Sequence, residues 1–169
     1  MSELLLGSGN SRVKKVRFAE IPVAFTDVTT VDIDPSGNPD YVHDLNVTPW
    51  PFADNSFDEV CAFEVLEHLG QQGDYKAFFA HFYEIWRVLK PGGYLIATVP
   101  MWDSMWTWGD PGHTRVITRG SLVFLNQQEY SQVGETAMTD YRSVWKGDFE
   151  TMALEEKGDT FAFVLRARK

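Results

Sequence analysis

Short apolar runs that break off at glycine, aspartate or proline recur along the chain, with helical periodicity between them. Leu4-Leu5-Leu6 stops at Gly7-Ser8-Gly9, Val28 to Ile33 runs into Asp34-Pro35, and Tyr94 to Val99 stops at Pro100. Phe57 to Phe63 is a fourth such run and Tyr41 to Leu45 a very short fifth. Runs of this length, bounded by turn residues, read as buried strands. Asp74 caps the clearest helix, in which Phe78, Phe82, Ile85 and Leu89 recur at spacings of four, three and four residues on one face. Strands alternating with helices predict an α/β fold of three layers, a doubly wound, mostly parallel sheet with helices on both faces. All 169 residues fit a single domain of this kind.

The remaining elements carry weaker signals. Asn10 or Ser11 is placed to cap a helical piece over Arg12 to Arg17, and Val65 to Leu69 to open a helix that Gly70 and Gly73 interrupt. Pro91-Gly92-Gly93 should end the long helix. Met101 to Thr114 reads as a long irregular stretch of the kind that carries function. Thr118 caps a short helix through Leu125. Phe149 to Glu156 and Thr160 to Arg168 flank Lys157-Gly158-Asp159, which predicts an antiparallel hairpin, because so tight a loop cannot join parallel neighbours.

Charge narrows the partners. Twenty-four acidic residues against fifteen basic ones give a net charge of −9. A chain that grips double-stranded nucleic acid through its phosphates needs the opposite balance. Lys14, Lys15 and Arg17 form one small basic patch, read as a solvated first turn. The single cysteine, Cys61, excludes an internal disulfide and lies in an apolar run where a buried, inert thiol is expected. Met1 to Leu6 is too short and too weakly basic for a signal peptide, and no apolar run approaches the ~18 residues of a membrane helix. A cytoplasmic protein with no membrane contact is the expectation.

In open α/β sheets ligands bind beyond the carboxyl ends of the strands, where strand order reverses. The informative turns of this chain all fall there. Gly7-Ser8-Gly9 lets backbone approach a ligand and leaves amide groups free to donate, although a lone Gly-x-Gly is as readily a plain turn. Asp32, at the end of the second strand, suits the two hydroxyls of a ribose, or else starts the turn at Asp34-Pro35. Asp44-Leu45 after the third strand suits an adenine amine and ring, or is another loop aspartate.

Taken in order, Leu4-Leu5-Leu6-Gly7-Ser8-Gly9, Val31-Asp32-Ile33, Asp44-Leu45, Pro51-Phe52-Ala53-Asp54-Asn55-Ser56-Phe57-Asp58, Glu64-Val65-Leu66-Glu67-His68 and Leu89-Lys90-Pro91-Gly92-Gly93 resemble the class I S-adenosylmethionine-dependent methyltransferases. The chain looks closest to the small predicted methyltransferases of tailed bacteriophages, which share the Gly-Ser-Gly-Asn-Ser-Arg opening and the Trp-Gly-Asp-Pro-Gly-His-Thr-Arg stretch. The resemblance implies seven strands in the order 3-2-1-4-5-7-6, with S-adenosyl-L-methionine as cofactor and S-adenosyl-L-homocysteine as product. It implies that Gly7, Ser8 and Gly9 face the methionine part, that Asp32 holds the ribose and Ile33 packs on the adenine, and that Asp44 and Leu45 contact the adenine edge. Phe63 and Glu64 would lie beside the sulfonium and the methionine amino group. The sequence departs from the family at Leu5, where an acidic residue is usual, and at Ser11, where a third glycine is usual. The N-terminal helices that commonly cover the site have no counterpart before the first strand, which predicts an open site, a large substrate or a partner chain supplying the lid, and a homodimer is the expected assembly.

Methyl transfer to oxygen or nitrogen calls for a proton acceptor. His113 is the first candidate and His68 the second, each with an alternative role in anchoring its loop. His81 is expected at the surface. Glu67, His68, Asp110 and His113 match no established metal-ligand spacing, so no metal is expected. Trp102, Trp106 and Trp108 lie where an acceptor would arrive and either stack a flat or cationic substrate or cover the site. The expected function is methyl transfer to an unidentified acceptor, whether small molecule, nucleotide or protein side chain. The rival is a non-catalytic cofactor-binding or interaction module on the same fold. A nicotinamide reductase fits less well, because the glycine pattern is incomplete.

Overall fold

A computed structural model describes residues 1–16 and 24–169. Seven strands form one sheet among them: β1 (Glu3–Leu6), β2 (Val28–Asp32), β3 (Tyr41–Val42), β4 (Phe57–Phe63), β5 (Leu89–Pro100), β6 (Phe149–Lys157) and β7 (Thr160–Ala167), in the order β3-β2-β1-β4-β5-β7-β6. β1 pairs in parallel with β2 and β4, β2 with β3, and β4 with β5, whereas β7 runs antiparallel to both β5 and β6. The predicted architecture and strand order are therefore the observed ones. Strand order reverses at β1, so the crevice expected to bind a ligand opens above β1 between β2 and β4.

β1 is buried from end to end because it is central and covered on both faces. Leu4 and Leu6 enter the main core with α1 (Tyr75–Val88), while Leu5 points to the other face, into a small cluster with Cys61, Phe63, Ile96 and Val164. In α1 the side chain of Asp74 accepts from the Ala77 amide at 3.0 Å, and Phe78, Phe82 and Ile85 face the sheet as the periodicity predicts. Trp145, Phe149 and Phe163 fill the core beneath it. No helix among the described residues is long and apolar enough to cross a membrane.

Several boundaries differ from expectation. Leu89 begins β5 rather than ending α1, and Pro91-Gly92-Gly93 lies inside that strand. The ladder passes from Phe57↔Leu89 to Glu59↔Tyr94, so Asp58 alone faces the four residues Lys90 to Gly93. A bulge of this kind accommodates a proline that cannot donate and a Gly92 at φ +79°. β3 is shorter than Tyr41 to Leu45, because the Asp40 carboxylate takes the Thr30 amide at 2.8 Å and Asp44 folds into an Asx turn with the Asn46 amide at 2.9 Å. The helix expected over Arg12 to Arg17 does not form at residues 12–16, and Arg17 lies outside the described residues. Lys14 is not a solvated patch residue. It is buried, with its ammonium 2.9 Å from Glu3 and 2.5 Å from Glu59. Val65 to Leu69 yields only a 3-10 turn at Leu66–His68. The stretch after β5 contains a five-residue helix, α2 (Met105–Gly109), and the Thr118-capped helix α3 (Arg119–Val123) stops before Leu125.

Candidate functional site

The expected site residues, Leu45 and Phe63 apart, present their side chains or backbone turns at the carboxyl rim of the sheet. The turn after β1 is left-handed at Gly7 and Gly9, with φ of +58° and +47°. A Cβ on Gly7 would collide with Val65 after β4, whereas one on Gly9 would meet nothing within 4 Å among the described residues. Gly7 is therefore needed for packing, and Gly9 leaves an open face over the crevice. The turn is braced from the β2 side. A Cβ on Gly37 would strike the Gly9 carbonyl, and the Arg12 guanidinium donates to the carbonyls of Gly9, Gly37 and Asn38 at 3.3, 3.2 and 3.1 Å. The sequence offered Arg12 only as the end of the Gly-Ser-Gly-Asn-Ser-Arg opening and gave neither it nor Gly37 this bracing role, which depends on two loops meeting in space.

Asp32 ends β2 in this crevice. Its Oδ2 accepts from the Gly9 amide at 2.7 Å and its Oδ1 from the Asp34 amide at 2.9 Å. A carboxylate has about four acceptor positions, so one remains on each oxygen of a group already fixed in orientation. Two oriented acceptor oxygens are the arrangement that the two hydroxyl donors of a vicinal diol require. Ile33 beside it is exposed. Asp44 uses Oδ1 for the Asn46 amide and side chain. Leu45 turns into the core, where its carbonyl accepts from the Trp50 indole at 3.0 Å. Phe63 is likewise interior, packed in the cluster with Leu5 and Ile96. Neither Leu45 nor Phe63 presents its side chain at the rim.

Glu64 is exposed and sits at φ +57°, a conformation a glutamate rarely adopts. Its amide donates to the Thr98 carbonyl at 2.9 Å, which ties the ends of β4 and β5. Beside it opens a cavity of about 590 Å³ lined by Lys15, Val16, Glu64, Thr98, Lys157 and Thr160. The buried hydroxyls of Thr98 and Ser8 have no partner among the described residues. Thr98 was not anticipated, as a threonine within a strand carries no signal of its own. Unpartnered polar groups and a Gly9 face clear of side chains are what a polar, adenosyl-type ligand would use, so the residues present fit such a group.

A second set lies at the ends of β4 and β5. The Glu67 carbonyl accepts from the Thr114 and Arg115 amides at 2.9 and 3.0 Å, stitching the two loops together. His68 Nδ1 meets the Gly112 carbonyl at 2.9 Å, and the His68 and His113 rings stand edge to face at 4.7 Å. His113 Nε2 is 4.0 Å from Glu67 Oε1 and 3.8 Å from Asp110 Oδ2. Burial pushes the Glu67 carboxyl up to about 8. Trp102, Trp106 and Trp108 are exposed, with the Trp108 indole held on the Trp102 carbonyl at 2.8 Å. His81 is not a surface residue: it is buried among Leu66, Leu69, Phe78 and Arg115. His43 Nε2 is used on the Val47 carbonyl at 2.9 Å.

Residues 4–97, more than half of the chain, match the family model described as a methyltransferase domain. No curated protein matches the sequence. Among solved structures, a chain from the Haloferax volcanii complex with the Trm112 methyltransferase activator is similar at 13% identity and a TM-score of 0.60, covering 99% of this chain and 83% of that one. An Archaeoglobus fulgidus SAM-dependent methyltransferase is similar at 13% identity and 0.57, covering 98% and 85%. The Bradyrhizobium japonicum N-methyltransferase NodS in complex with S-adenosyl-L-homocysteine is similar at 14% and 0.56, covering 99% and 78%. Identities this low speak for the fold.

Proposed function

The chain belongs to the methyltransferase-domain family, and from that premise we propose that it transfers a methyl group from S-adenosyl-L-methionine to a small molecule, a nucleotide or a protein side chain. When bound, the cofactor supplies a methyl group activated on a sulfonium. Asp32 would hold the ribose hydroxyls through the acceptor position left on each oxygen, and this carries the reading. Gly7, Ser8 and Gly9 would border the methionine part, Ile33 the adenine face and Asp44 the adenine amine. Leu45 and Phe63 would back the site from the interior. Glu64 would face the methionine amino group, in place of the acid that Leu5 replaces.

The acceptor would arrive on the side of Trp102, Trp106 and Trp108, whose exposed rings can stack a flat or cationic group. In the metal-free chain His113 and His68 stand at the same rim as the groups to take its proton. Holding donor and acceptor in line supplies much of the rate in such displacements, up to ~7–11 kcal/mol in ideal cases. The opening Gly-Ser-Gly-Asn-Ser-Arg and the stretch Trp108 to Arg115 support grouping the chain with the small phage-encoded members of the family, which act in the host cytoplasm.

Leu5 favours a second reading. Its side chain is turned into the small apolar cluster, so β1 offers no carboxylate to the rim. A module that binds the cofactor without transferring its methyl group accounts for that. Titration calorimetry with S-adenosyl-L-methionine tests the shared premise: saturable one-to-one binding is expected, weakened roughly 10- to 100-fold in Asp32→Ala by loss of charged hydrogen bonds of ~1.5–3 kcal/mol. Absence of saturable heat would remove both readings. Turnover across an acceptor panel separates the enzyme from the binding module.

A further inference from the structure

We propose that Glu67, His68 and His113 form a binding site for a divalent transition-metal ion, with Asp110 as an adjoining oxygen donor. Linear spacing gave no hint of this, because the ligands come from two loops that only the fold brings together. Donor atoms of Glu67, His68 and His113 all lie within 4.8 Å of one another.

The side chain of Glu67 is 3% exposed, and among the described residues neither carboxylate oxygen has a hydrogen-bond partner. A carboxylate withdrawn from water with nothing to satisfy it is costly, and such groups are ordinarily paired or bound to a metal. Its Oε1 is aimed at His113 Nε2, 4.0 Å away, and Asp110 Oδ2 approaches the same nitrogen at 3.8 Å. Asp110 uses Oδ1 for the Gly112 amide at 2.8 Å, which leaves Oδ2 directed at the cluster.

The tautomer of His68 is also set. A carbonyl only accepts, so the 2.9 Å contact with Gly112 makes Nδ1 the donor, and Nε2 carries the lone pair. A ligating imidazole fixed by a backbone carbonyl on its other nitrogen is the usual arrangement around bound metals. The backbone bonds from Thr114 and Arg115 to the Glu67 carbonyl hold the two ligand loops in register.

Two imidazoles with one or two carboxylates suit ions of intermediate softness such as Zn²⁺, Co²⁺ or Ni²⁺. An all-oxygen site would suit Mg²⁺ or Ca²⁺, and thiolates would suit Cu⁺. Bonds of ~2.0–2.2 Å put neighbouring donors ~3–3.5 Å apart, so small side-chain rotations close the site around one ion. His68 is exposed, which gives an ion access from solvent.

The site does not rest on the cofactor reading, and its test needs no cofactor. The full chain, stripped with EDTA, is titrated with Co²⁺ while visible d–d absorption is followed. The expected result is one saturating equivalent, with affinity at least tenfold weaker in Glu67→Gln and in His113→Asn. Glu67→Gln also serves as the folding control: a near-isosteric neutral replacement, it should melt close to the metal-free wild type while losing the rise in Tm that Co²⁺ or Zn²⁺ gives. No d–d band in the wild type, or a band unchanged in both variants, overturns the proposal and leaves the His113 and His68 lone pairs free to accept the acceptor's proton.

Discussion

Lys14 carries a charge into the interior because two carboxylates meet it there. Burial alone would raise the Glu3 carboxyl, but the Thr26 and Asp27 amides and the Lys14 ammonium outweigh it and hold it below its ordinary value. For Lys14, burial works against the ammonium and the hydrogen bonds to Glu59 and Glu3 prevail, so it remains charged. Cutting one partner from such a group strands the others. Lys14→Met is expected to lose ~3–5 kcal/mol in chemical denaturation, by leaving Glu3 and Glu59 buried and unpaired. An unchanged midpoint would show that the ion group contributes nothing. In the sequence Lys14 read as part of a solvated basic patch, because its attraction to Glu3 and Glu59 exists only once β1 and β4 lie side by side. Asp32 is the opposite case. Its position at a strand end before Asp34-Pro35 was readable, because its partners Gly9 and Asp34 belong to adjoining turns.

At the scale of elements, local signals were reliable where one segment determines its own structure. The Asp74 cap and the Phe78, Phe82, Ile85 stripe of α1 needed no tertiary help, nor did the Thr118 cap of α3 or the hairpin at Lys157-Gly158-Asp159. Signals failed where another element intervened. Pro91-Gly92-Gly93 is punctuation in isolation, yet β4 pairs on either side of it and draws it into a bulged strand. His81 lay off the predicted stripe, but Arg115 and the Leu66–Leu69 turn close over it. Burial first, and then the neighbouring Arg115 charge, lower its imidazole from 6.5 to about 4. The unfolded chain takes up this proton near 6.5 and the folded one only near 4. The stability His81 contributes is therefore complete above about 6.5 and is lost as pH falls through about 4. Denaturation midpoints of wild type and His81→Leu should diverge across that window, with the variant less sensitive to acid. Parallel profiles would mean that His81 titrates normally.

For the molecule as a whole, the alternation of strand and helix was enough to predict the layers, and the family resemblance supplied the strand order that the sheet displays. The rim residues followed, since every strand-end turn in a parallel sheet points to one edge. The clustering of Glu67, His68 and His113 did not, because their spacing along the chain matches no established ligand pattern and they converge only at the ends of β4 and β5. A homodimer remains our proposal for the assembled state. Light scattering of the purified chain should give twice the monomer mass of 19.3 kDa, and a monomer at all concentrations would remove it.

The central claim is that the crevice between the β1 turn and Asp32 receives an adenosyl group. A crystal structure with S-adenosyl-L-homocysteine tests it most directly. The account predicts the ribose hydroxyls on the two oxygens of Asp32, with the Gly9 and Asp34 amides still bound to that carboxylate and the adenine against Ile33. An adenosyl group lodged elsewhere, or no ligand density at saturating concentration, would contradict it.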